Sequence, residues 1–368
     1  MKVRGSGATD RVHLVVPDMV HDGERPSGGN VYDAELARAL RARGVLVALH
    51  LVEGSWPEHG DVAGLARILA GLPEGAAVVV DGLVGLAAAD VLEAERQRLV
   101  LVLLVHLPLA LATPGDPKVR AGEHRALEAA VGVVTTSQWT RDWLIAAYGL
   151  DVERVRVARP GVRVGRSAPP SETGGRLLCV GALVPAKGQD LLVSALASIT
   201  ELPWTCRLVG PLDRDPDFVR ALRNRIGRAG LEDRVRLTGP VAHGAMASAY
   251  EAADLLVLPT RLETYGMTLT EALAHGVPGV AGHTGGVAEA LGGSAGGAVP
   301  GMLVTPGDPK ALGRALRRWL TEPRLRQQLR AAAAARRLAL GDWSTTAELV
   351  HEAVDTARLN RSALGTVV

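Results

Sequence analysis

Short runs of consecutive apolar residues recur along this chain. Between them lie longer stretches in which Ala, Leu and Val return every three to four positions among Arg, Glu and Asp. Unbroken apolar runs predict strands buried on both faces, and the helical period between them predicts helices that cover those faces. In the first half, strands are read over 12–16, 45–51, 77–80, 99–105, 131–135 and 155–157. Helices are read over 30–43, stopped by Gly44, over 119–130, and over 138–148, stopped by Gly149. Residues 161–175 break the rhythm with Pro, Gly and Ser and read as a linker. The pattern then restarts, with strands over 177–180, 205–209, 235–237, 255–258 and 278–281, and roughly the last 60 residues read as helical. Strands alternating with helices imply parallel sheets, so the fold class is α/β: two doubly wound parallel-sheet domains facing across a cleft. The boundaries read as 1–165 and 176–340, with 341–368 as a C-terminal helix packing back toward the first domain.

Composition narrows the function classes. The 368 residues carry 41 basic and 39 acidic side chains, a formal charge of +2 that lacks the footprint of a nucleic-acid binder. Apolar residues reach 47%, which excludes a disordered chain, while aromatics at 3% leave the cores to Ala, Val and Leu. Only Lys2, Lys118, Lys187 and Lys310 are lysines, so Arg clusters are discounted as compositional bias and each lysine gains interest. Cys179 and Cys206 lie in apolar strands and read as buried thiols of a reducing, cytoplasmic protein; two cysteines also allow no zinc spacing. The N-terminus lacks the apolar core of a signal peptide, and the run at 99–105 is too short to span a bilayer.

The densest chemistry follows the strand 255–258: Pro259-Thr-Arg-Leu-Glu263-Thr-Tyr-Gly-Met-Thr-Leu-Thr-Glu271. Gly266 leaves room for a ligand to approach the backbone, and Thr268 reads as the cap of a helix running to His275. A helix start offers unpaired N–H groups and a partial positive charge that suit a phosphate. Glu263 before the helix and Glu271 within it can accept hydrogen bonds from sugar hydroxyls. Thr268-x-x-Glu271 equally reads as a capping box, with Glu271 serving only the helix start. A second feature, Val180-Gly-Ala-Leu-Val-Pro-Ala-Lys187, joins a strand to a helix and places a rare lysine where a phosphate is expected. Gly28 and Gly29 lie between the first strand and first helix. His106 directly follows a buried strand, where an imidazole can bind a hydroxyl or carry a proton near neutral pH. Ser137 occupies another strand end, where helix capping explains it nearly as well as a place in the site.

The block from Glu263 to Glu271, with the strand ending in Pro-Thr before it and the Gly285-Gly286-x-x-Glu289 turn after it, resembles the E-x7-E signature of retaining GT-B glycosyltransferases of family 4. That resemblance implies a nucleotide-diphosphate sugar as donor, UDP- or GDP-linked, with a hydroxyl-bearing acceptor on the N-terminal domain. No metal and no other cofactor are implied. By the same resemblance Glu271 holds the nucleotide ribose, Glu263 contacts hydroxyls of the donor sugar, and Tyr265 belongs to the donor-binding set. The backbone of Gly266, Met267 and Thr268 meets the diphosphate. Gly28 and Gly29 form the family's glycine loop, and His106, Glu263 and Lys187 stand at the reaction centre. The family pattern has two cations near the diphosphate; this chain keeps Lys187 but has Ala182 at the other position, leaving Arg261 as a candidate substitute. An epimerase or phosphorylase on the same fold, and an inactive sugar-nucleotide-binding protein, remain alternatives. Asp213-x-Asp215 is read as a polar turn before a helix capped by Asp217, not as a metal site. The Arg-rich C-terminal helices read as solvated, with peripheral membrane contact as the alternative.

Overall fold

The computed structural model describes residues 11–23, 26–241, 243–292 and 297–364. Its strands run in chain order β1 (Arg11–Pro17), β2 (Leu46–Val52), β3 (Gly54–Ser55), β4 (His59–Gly60), β5 (Ala77–Asp81), β6 (Val100–Val105), β7 (Gly132–Thr135) and β8 (Val155–Val157). They continue with β9 (Arg176–Val180), β10 (Thr205–Val209), β11 (Val235–Leu237), β12 (Leu255–Leu258), β13 (Gly279–Gly282) and β14 (Gly301–Val304). Two six-stranded sheets form, in the orders β2-β1-β5-β6-β7-β8 and β11-β10-β9-β12-β13-β14, with every pairing in both sheets parallel. Every residue of β5, β6 and β12 is buried, as expected for strands covered by helices on both faces. Burying each such Val or Leu side chain stabilises by about 1.5–3 kcal/mol.

The apolar pattern does not predict β14 or the small β3–β4 hairpin. Gly301-Met-Leu-Val304 is an apolar run of four between Pro300 and Thr305-Pro306, too short to show a period by itself. Pairing with β13 makes it a strand.

The chain divides into two compact units. Of the described residues, one gathers those from 11 to 21, from 28 to 161 and from 341 to 364; the other gathers those from 162 to 340 with those between 22 and 27. In the first, the helix Trp343–Leu364 lies against the sheet, where Ala357 stands 3.6 Å from the place a Cβ on Gly132 would take. Thr346 Oγ1 also donates to the Arg159 carbonyl at 2.7 Å. In the second, residues 162–175 form no helix or strand but are fastened at several points. Buried Asp254, just before β12, accepts from Ser171 N and Oγ and from Arg176 N, Nε and Nη2. The fully buried Trp319 donates from Nε1 to the Gly174 carbonyl at 2.8 Å. Among the described residues no helix is long and apolar enough to cross a membrane.

Candidate functional site

The topology selects the ends of particular strands. In a doubly wound sheet the crevice lies beyond the carboxyl ends where the strand order reverses. In the second sheet that point falls between β9 and β12, so the loop carrying Lys187 and the loop carrying Glu263 emerge side by side. Lys187 Nζ lies 2.8 Å from Glu263 Oε2, with the carboxylate side chain 14% exposed and the lysine 33%. The lysine stem runs over Gly181, whose Cβ position would be 3.6 Å from its Cγ and Cδ.

Other bonds knit the two loops. Arg261 N donates to the Ala186 carbonyl at 2.8 Å, and Thr260 Oγ1 to the same carbonyl at 3.1 Å. Gly188, at φ +69°, lies so near that a Cβ would fall 2.1 Å from the Pro259 carbonyl oxygen. Gly188→Ala is therefore expected to destabilise the second unit by at least ~2 kcal/mol, because the left-handed backbone and the displaced carbonyl both oppose it. A melting temperature equal to wild type would contradict that.

Several assignments made from the sequence change here. Arg261 is no loose cation: its guanidinium grips Asp190 at 2.9 and 2.7 Å and also meets the Pro185 carbonyl. Lys187 ends a short 3-10 turn, Pro185–Lys187, and the helix begins only at Gln189. Thr268 does not cap the next helix. Met267–Ala274 starts from Gly266 at φ +106°, without a side-chain cap, because the chain enters in a conformation glycine tolerates. The capping box is absent, and Glu271 instead accepts from the phenol of Tyr250. Burial raises the Glu271 carboxyl above its ordinary range, though the phenol works against it. Tyr265 is buried and Met267 and Thr268 are half-buried at the helix start. Gly285, at φ +56°, sits where a Cβ would overlap the Glu263 carbonyl, which also accepts from Gly286 N at 3.2 Å. The Gly-Gly turn thus shapes the Glu263 loop. Further off, Asp215 rather than Asp217 caps Pro216–Arg228 by accepting from Phe218 N, since its side chain lies one turn before that amide.

In the first unit the order reverses between β1 and β5. Gly28 and Gly29 are the opening turn of the helix Gly28–Ala42, not a loop before it. A Cβ on Gly29 would come 3.2 Å from His106 Cδ2. His106 Nε2 lies 2.9 Å from Asp33 Oδ1 and 3.3 Å from Asp81 Oδ2. Neither aspartate was singled out from the sequence. Asp33 lies in an amphipathic helix where an acid reads as solvated, and Asp81 ends an apolar strand; only the fold brings them to the imidazole. Ser137 caps Gln138–Tyr148 by accepting from Thr140 N at 3.0 Å.

Two doubly wound domains on one chain, each an all-parallel six-stranded sheet, are the architecture of the GT-B fold, and in the second an acid–lysine pair and an uncapped helix start meet at the switch point. Residues 166–336 match the family model described as glycosyl transferases group 1. The chain is 31% identical to the D-inositol 3-phosphate glycosyltransferase of Kineococcus radiotolerans across 98% of both chains. It is 30% identical to that of Xylanimonas cellulosilytica across 96% of this chain and 97% of the other. The chain belongs to the group 1 glycosyl transferases. Among solved structures, sucrose-phosphate synthase from Thermosynechococcus elongatus superposes with a TM-score of 0.77 at 21% identity, covering 97% of this chain and 100% of that one. Anabaena HepE in complex with UDP-glucose gives 0.74 at 21% identity, covering 94% and 99%.

Proposed function

We propose that this glycosyltransferase is a retaining enzyme of family 4 that moves a sugar from a UDP- or GDP-sugar to an acceptor hydroxyl, without metal or other cofactor. The observation that carries the reading is the joined Lys187–Glu263 pair beside the uncapped start of Met267–Ala274. Lys187 and the N–H groups of Gly266, Met267 and Thr268 bind the diphosphate, Glu263 the donor-sugar hydroxyls and Glu271 the ribose. Breaking the glycosyl–phosphate bond builds negative charge on the leaving diphosphate, and preorganised cations and amides lower that barrier. Residues 176–340 form the donor domain and 1–165 the acceptor domain in this reading. The HepE complex supports a UDP-sugar, and the names of the curated relatives support a phosphorylated polyol as acceptor. The free thiols Cys179 and Cys206, both buried, support a cytoplasmic site of action.

A thermal-shift panel of UDP-, GDP- and ADP-sugars tests the donor assignment. A true donor at about 100 times its Kd adds about 2.7 kcal/mol to stability and raises the melting temperature. Glu271→Ala is expected to abolish most of that rise. No shift with any sugar nucleotide would sink the donor site, and an unchanged shift in Glu271→Ala would return that residue to a packing role with Tyr250.

A further inference from the structure

His106 is held in an unusual way. Its Nε2 faces two carboxylates, Asp33 Oδ1 at 2.9 Å and Asp81 Oδ2 at 3.3 Å, both aspartates being 1% exposed. The other oxygen of each is accounted for differently. Asp81 Oδ1 accepts from Leu83 N at 2.8 Å and Val84 N at 3.4 Å, which fixes the direction of Oδ2. Asp33 Oδ2 is buried and has no hydrogen-bond partner among the described residues. Tyr32 closes one side of the imidazole edge-on at 4.9 Å, and is itself anchored by its phenol to the Ala158 carbonyl at 2.9 Å and by Trp343 at 5.3 Å. Gly29 closes another side, where a Cβ would already press on Cδ2. Tyr32 and Gly29 thus flank the ring that the two carboxylates face. Its Nδ1 has no partner among the described residues, and the side chain is 12% exposed.

Two buried carboxyls held against one imidazole nitrogen favour the protonated ring, since a buried carboxylate without a positive partner is costly; burial raises Asp33 to about 7, so that acid is charged above that pH. We propose that Asp33 and Asp81 are positioning residues that keep His106 as an imidazolium whose Nδ1–H is its single outward donor, so that His106 serves transfer as a fixed cationic hydrogen-bond donor and not as a proton acceptor. This rests on the glycosyltransferase reading above for its role, though not for its protonation state.

The electrostatic surroundings of the ring act in the same direction as the geometry. Burial pulls the His106 pKa down, but Asp33 and then Asp81 outweigh it and push it up to about 10. Asp33 is raised by burial and by Asp81, against the pull of the imidazolium. Tyr32, raised by burial and then by Asp33, stays a neutral phenol. Among the described residues these are the titratable groups that face the ring, Tyr32 and Asp33 from the helix Gly28–Ala42 and Asp81 from the end of β5.

The test is a ring-15N NMR titration of His106 in the full chain, assigned by its loss in His106→Asn. The wild-type ring is expected to remain an imidazolium through pH 9. In Asp33→Asn its pKa falls by one unit or more, and kcat of that variant declines with rising pH between 7 and 9, where the wild type is level. Asp33→Glu restores part of the level region. A neutral wild-type ring at pH 8 overturns the proposal, as does an unchanged titration in Asp33→Asn. So does a stoichiometric divalent cation bound by wild type and lost in Asp33→Asn, for Nε2 would then hold the metal. If Asp33→Asn does not fold, the wild-type titration alone decides. Because the NMR readout needs no substrate, a protein that transfers no sugar yet shows the imidazolium separates failure of the functional reading from failure of this one.

Discussion

Lys187→Ala is expected to lower kcat for sugar transfer by about 10²–10³-fold, the loss typical of removing one preorganised group that meets developing charge. The effect is placed at the high end because the usual reserve is missing. Ala182 carries no charge, and Arg261 is committed to Asp190 and to the Pro185 carbonyl. The melting temperature should barely move, because an ion pair with a one-third exposed lysine contributes about 0–1 kcal/mol. Lys187→Arg should recover only part of the rate, since a planar guanidinium engages Glu263 with a different geometry from an ammonium. Initial rates with the donor identified by thermal shift measure both variants. A loss below about fivefold in Lys187→Ala would remove the lysine from the leaving-group site.

Asp254→Ala is expected to destabilise the second unit by about 3 kcal/mol. Removing one partner of a buried pair leaves donors without acceptors, at a cost of about 3–5 kcal/mol. The lower end applies because the Arg176 side chain is 38% exposed and regains water. The carboxylate also holds Ser171 and the Arg176 amide, so its loss frees the segment that leads into β9. For a unit of this size the melting temperature should drop by roughly 6–12 °C. Burial raises the Asp254 carboxyl, but Arg176 and Ser171 hold it below its ordinary value. Its contribution is thus present above the unfolded pKa of about 3.9 and lost as pH falls through the lower folded value. Differential scanning calorimetry of wild type and variant between pH 3 and 7 should show the gap closing at the acid end; a gap constant with pH would contradict the assignment.

Much of the fold was legible because strands buried on both faces need runs of Val, Leu and Ile that cannot be mistaken for an amphipathic period. β8, β10, β11 and β12 were read to the residue. β14 was not, because four apolar residues gain strand character only from the neighbour they pair with. Glu263, Glu271 and Lys187 were legible as candidates because they lie in one local block each, at strand-to-helix joins. The same block misled at Thr268: its spacing to Glu271 satisfies a capping box, but Gly266 enters the helix in the left-handed region and Tyr250, from another helix, takes the carboxyl instead. Asp33 and Asp81 were invisible for a plainer reason. They are 48 positions apart and meet His106 only where two strand ends and one helix start converge.

By itself, then, the order of residues determined the strands, most helices, the parallel α/β architecture and the local block that marks a glycosyltransferase, since each depends on neighbours within a few turns of chain. Tertiary structure decided which charges are partnered. It set Lys187 on Glu263, withdrew Arg261 to Asp190 and enclosed His106 between two buried aspartates. Electrostatic partners are chosen by distance and burial in space, and the spacing of residues along a chain carries neither.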